Sequence, residues 1–156
     1  MKVLYTDAIQ APLEIEKDLK SEYRNLNSLL AEADFVTLHV PLLPETRGLM
    51  DGAKLHRMKS TAFLINTSRG PVVDEAALVH ALESGKIAGA ALDVYENEPF
   101  IHPGLKRPNV VLAPHIASAS LETRTRMASI AAENVVAIFK GQRPPNILNA
   151  DVLKAK

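Results

Sequence analysis

Thr61–Asp74, TAFLINTSRGPVVD, decides how the rest of the chain is read. Ala62, Phe63, Leu64 and Ile65 form a short apolar run, the pattern of a buried strand. The run stops at a polar loop of Asn66, Thr67, Ser68, Arg69 and Gly70. Asp74 then opens a helix whose Ala77, Leu78, Ala81 and Leu82 share one face, with Gly85 as its stop. In a parallel sheet, the loop after a strand's carboxyl end is where ligands bind. An arginine delivered there offers a planar fork of donors that matches a carboxylate. A plain surface arginine is the competing reading of Arg69, and the company of Asn66, Thr67, Ser68 and Gly70 weakens it.

The pattern repeats outward from this stretch. Lys2–Thr6 (KVLYT) reads as a strand ending at Asp7, and Pro12 stands near the start of a weakly amphipathic segment containing Leu13, Ile15 and Leu19. Asn27 is the expected cap of a helix over Leu29–Ala33, with Leu26 as its staple. Asp34–Pro41 is a second strand, and Asp51 starts a short helix running to Met58. Ala88–Val94 is a strand whose Gly89, Ala90 and Ala91 imply a close neighbour, and Asn109–Ala113 is the fifth. Ser118 or Ser120 caps a long helix over about 121–140, closed by Gly141. Short apolar strands alternating with helices specify an α/β fold, a doubly wound parallel sheet covered on both faces. Residues 1–141 form the expected domain, and 142–156, with Pro144 and Pro145, an extended tail suited to lying on another surface.

Eighteen basic and eighteen acidic residues in 156 leave no net charge, hence no electrostatic case for nucleic acid or an anionic membrane. The absence of cysteine rules out disulfides and thiolate metal sites and fits a cytoplasmic setting. No apolar run is long enough to span a bilayer, and MKVLYTDA lacks the layout of a signal peptide.

The remaining candidates are single residues at strand ends. Asp7 could accept from the ribose hydroxyls of an adenosine, although turns select aspartate routinely. Asp93 could bond a cofactor amide or nearby backbone, and Glu96 and Glu98 are two candidate carboxylates for tuning a neighbour. His115 follows Pro114 at a strand end; histidine titrates near neutrality and suits proton transfer, whereas the bland reading is a structural histidine. His39, His56, His80 and His102 show no ligand-like spacing, so no metal site is expected. No G-x-G-x-x-G phosphate loop occurs in the chain.

NTSRGPVVDEAAL, GAALDVYENEP and APHIAS, in that order, together with ADFVTLHVPLLPETRGLM and PPNILN, resemble the D-isomer-specific 2-hydroxyacid dehydrogenases, the glyoxylate/hydroxypyruvate reductases above all. The resemblance covers nearly the whole chain. It implies an NAD-dependent oxidoreductase in which Arg69 binds the substrate's carboxylate and carbonyl, His115 exchanges the proton, and Glu98, in the E-P position, holds His115. It implies that Asp7 holds the adenosine ribose and favours NAD over NADP, and that Thr67, Ser68, Asp93 and Ser118 border the nicotinamide. A homodimer and a small 2-oxo or 2-hydroxy acid are the expected partners.

Relative to that family the front is missing: half of a substrate domain, the first strand, the glycine-rich loop and its helix. The expectation is therefore the C-terminal part of a nucleotide-binding domain, with a tail returning to an absent substrate domain. Such a piece would bind NAD weakly and turn over negligibly alone. If the gap left by the missing central strand closes, the remaining strands run 2-1-3-4-5, the flavodoxin-like order, unless a second copy fills the gap. The alternative class is a non-catalytic fragment or a dehydrogenase-like corepressor module.

Overall fold

The computed structural model describes residues 1–151. In chain order the elements are β1 (Val3–Tyr5), α1 (Leu13–Leu19), β2 (Ser21–Tyr23), α2 (Leu26–Glu32), β3 (Phe35–Leu38), α3 (Gly52–Leu55), β4 (Phe63–Asn66), α4 (Glu75–Glu83), β5 (Gly89–Leu92), β6 (Val110–Leu112) and α5 (Leu121–Phe139). All pairings between these strands are parallel, as an alternation of strands and helices requires. The chain forms two compact units, one ending at His115 and one beginning at Ile116.

Among the described residues the first unit holds every strand. β3, β4, β5 and β6 lie side by side in that order, with Val36 opposite Leu64 and Leu64 opposite Ala90. Alternation sends Val36, Leu38, Leu64 and Leu92 into a core with Leu29 and Leu30 of α2, Leu55 of α3, and Leu78 and Leu82 of α4. The opposite sheet face keeps Phe35, Phe63 and Val111 exposed, Phe35 stacking on Phe63 with centroids 5.7 Å apart. Burial alternates along β3 and β4 although their residues are largely apolar on both faces. A Cβ on Gly89 would run into the Asn109 carbonyl and the Phe63 ring, which is the close neighbour its small residues implied.

β1 forms a separate two-stranded sheet with β2, Val3 opposite Ser21 and Tyr5 opposite Tyr23. The 2-1-3-4-5 order is therefore corrected. β3 pairs directly with β4, and β1 takes the strand next to it in sequence, Ser21–Tyr23, too short and polar to be recognised from its residues. The cap of α2 is also corrected: Asn25 caps it, accepting the Ser28 N–H at 3.0 Å, so Leu26 lies inside the helix. Asp51, Asp74 and Ser120 cap α3, α4 and α5 as expected, each accepting from the residue three positions on. Gly85 takes the left-handed conformation (φ 65°) in which glycine closes a helix.

In the second unit the tail turns back on α5 at Gly141 (φ 66°), and the Gln142 N–H donates to the Ala137 carbonyl. Asn134 Oδ1 accepts the Asn146 N–H at 3.0 Å, and Val135, Ile138, Ile147 and Leu148 line a groove of about 340 Å³ there. The last part of the tail, 152–156, lies outside the described residues. Among the described residues no helix is long and apolar enough to cross a membrane.

Candidate functional site

The loop after β4 is built around Asn66. Buried at the strand's end, its Oδ1 accepts from the Ser68 N–H (3.0 Å) and hydroxyl (2.8 Å), while its Nδ2 donates to the Arg69 carbonyl (3.0 Å). An asparagine bonding backbone two and three residues on closes the loop from within. Thr67 and Arg69 are left at the surface, whereas the Ser68 hydroxyl turns inward. Arg69 Nη1 donates to the Ser68 carbonyl at 2.7 Å. Gly70 sits so close to the next strand's loop that a Cβ there would fall on the Tyr95 carbonyl. Only glycine permits this approach.

The loop after β5 supplies a carboxylate and the end of β6 supplies an imidazole. Glu98 Oε1 accepts the Tyr95 N–H at 3.1 Å, and its Oε2 lies 2.9 Å from His115 Nδ1. The bond to His115, then the Tyr95 amide, hold the Glu98 carboxyl below the usual carboxylate range against the opposing effect of burial. His115 has φ 55°, a left-handed backbone uncommon for a residue with a Cβ and several-fold enriched in histidine. Such a position persists only where its surroundings impose it, and it recurs at functional sites.

A polar cleft of about 570 Å³ opens at the ends of β3 and β4, lined by His39, Val40, Pro41 and Leu42 on one side and Thr67, Ser68 and Arg69 on the other. Its size suits part of a nucleotide. Thr67, Ser68 and Arg69 thus share one cleft, and Glu98 and His115 form one pair. Asp93 is buried just past β5, its N–H donating to the Asn66 carbonyl at 3.0 Å. Asp7 stands exposed past β1, one oxygen accepting the Ala8 N–H at 2.6 Å, and is not among the cleft-lining residues. Ser118 is exposed in the second unit, two residues before the cap of α5. The described residues hold no cluster of three metal-ligating side chains.

Three contributors escaped the sequence. His39, with Thr37 Oγ1 2.9 Å from its Nε2, lines the cleft, and its place just past a strand was the available signal. Glu75, buried in the first turn of α4, accepts the Glu96 N–H at 3.0 Å and so pins the Glu98 loop. Tyr95 gave no signal at all.

Parallel strands with polar loops at their carboxyl ends define the class of nucleotide-binding α/β domains. Within it the chain belongs to the D-isomer specific 2-hydroxyacid dehydrogenase, NAD binding domain, family, whose profile matches residues 1–117. It is 54% identical over 158 residues to a glyoxylate reductase of Korarchaeum cryptofilum, covering 100% of this chain and 47% of that protein. A crystal structure of a glyoxylate reductase from Paecilomyes thermophila matches with a TM-score of 0.84 at 39% identity, over 92% of this chain and 44% of that one. An NADPH-dependent glyoxylate/hydroxypyruvate reductase from Sinorhizobium meliloti, in complex with NADP and malonate, matches with a TM-score of 0.82 at 37% identity, over 88% of this chain and 42% of that one. The chain spans about half the length of the curated relatives it matches.

Proposed function

We propose that this chain carries the cofactor-binding and proton-transfer half of an oxidoreductase that interconverts small 2-oxo acids and D-2-hydroxy acids of the glyoxylate and hydroxypyruvate type. The observation that carries the reading is the His115–Glu98 pair, 2.9 Å apart, with the Glu98 loop packed against the one that bears Arg69. Arg69 grips the substrate's carboxylate and polarises its carbonyl with donors in a fixed plane. His115 gives its proton to the oxo group in reduction and takes it back in oxidation, and Glu98 holds the ring's orientation.

The cleft of His39–Leu42 and Thr67–Arg69 fits part of a dinucleotide, with Thr67, Ser68 and Asp93 toward its nicotinamide and Asp7 at its adenosine ribose. A carboxylate there accepts from ribose hydroxyls and repels a 2′-phosphate, which favours NAD over NADP. Bound nicotinamide supplies the hydride in reduction and takes it in oxidation. Residues 1–141 form the binding domain, the tail from 142 returns to a substrate domain, and the working protein is a cytoplasmic homodimer. The alternative reading is a non-catalytic dehydrogenase-like interaction module.

One experiment separates the two. The chain is joined to the remaining part of the K. cryptofilum glyoxylate reductase and NADH oxidation is followed with glyoxylate and hydroxypyruvate. The expected result is 2-oxo-acid-dependent oxidation that falls about 10²–10⁴-fold in His115→Gln. A chimera that binds NADH and turns over none of these acids overturns the proposal and supports the module.

A further inference from the structure

We propose that Tyr95 is the positioning residue of the site, fastening the Arg69 loop, the Glu98 carboxylate and the strand end bearing His115 through three different atoms. The inference rests on reading His115 and Glu98 as the proton-transfer pair. Its amide N–H donates to Glu98 Oε1 at 3.1 Å, which leaves Oε2 turned to His115. Its carbonyl lies where a Cβ on Gly70 would be, so the Arg69 loop closes directly onto it. Its hydroxyl lies 2.7 Å from the Ala113 carbonyl and 3.2 Å from that of Leu92.

A phenol has one proton to give, and the shorter contact takes it, so the hydroxyl chiefly holds Ala113. The two residues after Ala113 have little freedom. Pro114 has φ fixed by its ring, and His115 is in the left-handed well. Fixing the Ala113 carbonyl therefore fixes where the His115 imidazole emerges. The side chain is 5% exposed, and the same burial pushes its phenol above the usual range, so the hydroxyl stays a donor at neutral pH. A buried tyrosine serving only as core needs a partner for its hydroxyl but no particular one. Here the partner is two residues from His115.

Tyr95→Phe keeps the ring, the amide and the carbonyl and removes this anchor alone. The readout is the carboxyl titration of Glu98 by carbon-13 NMR on the 156-residue chain, beside a thermal melt, with Leu30→Ala as a control of buried volume distant in sequence. The expected result is a rise in the Glu98 midpoint of about half a unit in Tyr95→Phe, a threefold fall in acidity, as the His115 contact loosens. Leu30→Ala lowers the melting temperature and leaves the midpoint in place. An unchanged midpoint in Tyr95→Phe, or an equal shift in Leu30→Ala, makes Tyr95 a core residue and overturns the proposal. Should Tyr95→Phe not fold, the unmutated chain still decides: a Tyr95 hydroxyl proton held on Ala113 exchanges slowly with water, and a rapidly exchanging one overturns the proposal. The titration is read without turnover, so an inactive chimera with an intact Tyr95 effect refutes the function and not the positioning.

Discussion

The two parallel sheets of the first unit are held in different ways. In the β3–β6 sheet, Leu64 is fully buried, and Leu30, Met50, Leu55 and Val72 join it in one continuous core. The β1–β2 sheet has no fully buried side chain, and α1 beside it buries none. Its link to that core is Leu4, only partly buried against it, and otherwise it rests on an edge contact between Tyr5 and Tyr23, a 2.6 Å bond from the Tyr5 hydroxyl to Glu16, and exposed ion pairs of Glu22 with Lys2 and Arg24. Two-stranded sheets are marginal alone, and surface ion pairs contribute little. The loops bearing Arg69, Glu98 and His115 therefore grow from a self-supporting framework, and Asp7 grows from the weaker one. The proton-transfer side of the proposed site is built in, whereas the ribose side depends on what else packs there.

Matched truncations test this most strongly. Leu64→Ala is expected to cost about 2–5 kcal/mol in urea unfolding, because it leaves a cavity in the core. Val3→Ala in β1, 41% exposed, is expected to stay within about 0.5 kcal/mol. Equal costs would erase the distinction between the sheets.

Gly70→Ala comes next and probes the framework where it carries the site. The added methyl meets backbone, which yields less readily than a flexible side chain, so a loss of about 1–3 kcal/mol is expected. The shift should appear as amide chemical-shift changes at Tyr95 and Ser68, on both sides of the closure. A folded variant with unchanged shifts at Tyr95 would show that the two loops are not locked together.

The strong framework was also the legible one. Apolar runs ending in polar loops marked β3 through β6, and Asp51, Asp74 and either Ser118 or Ser120 announced their helices, because capping is read from neighbours in sequence. The Glu98–His115 pairing came from the resemblance, since spacing alone left Glu96 equally eligible. The weak framework was half hidden: Lys2–Thr6 read as a strand, whereas Ser21–Tyr23 has neither length nor alternation. The closed strand order failed for a related reason. Pairing is decided by which edges meet in space, and no residue pattern reports that. Tyr95 was silent because its role lies in where its amide, carbonyl and hydroxyl end up, and a tyrosine in a loop reads the same wherever they point.

A smaller effect is expected from pH. The folded Glu98 carboxyl lies below its unfolded value, so its contribution to stability is fully present above the unfolded value of about 4.3 and is lost as pH falls through the lower folded one. With side chains 49% and 36% exposed, the pair is screened by solvent and is worth at most about 1 kcal/mol. Glu98→Gln should therefore lower stability slightly at neutral pH, and the difference from the unmutated chain should vanish in acid. A difference that grows on acidification would contradict the sign.

The smallest expected effect is the most specific to the weaker sheet. The Tyr5 hydroxyl donates to Glu16 and accepts the Ala11 N–H at 2.9 Å, tying α1 and its approach to β1. That bond is the leading reason the Glu16 carboxyl lies below its usual range. Tyr5→Phe removes the tie without touching the β3–β6 core. Global unfolding should stay in place, the Glu16 titration should return toward the ordinary range, and amide exchange should quicken across 3–23 alone, because local openings need not involve the whole fold. Exchange that quickens equally at Leu64 and Ala90 would mean that the two sheets open as one, and that Asp7 shares the rigidity of the Arg69 loop after all.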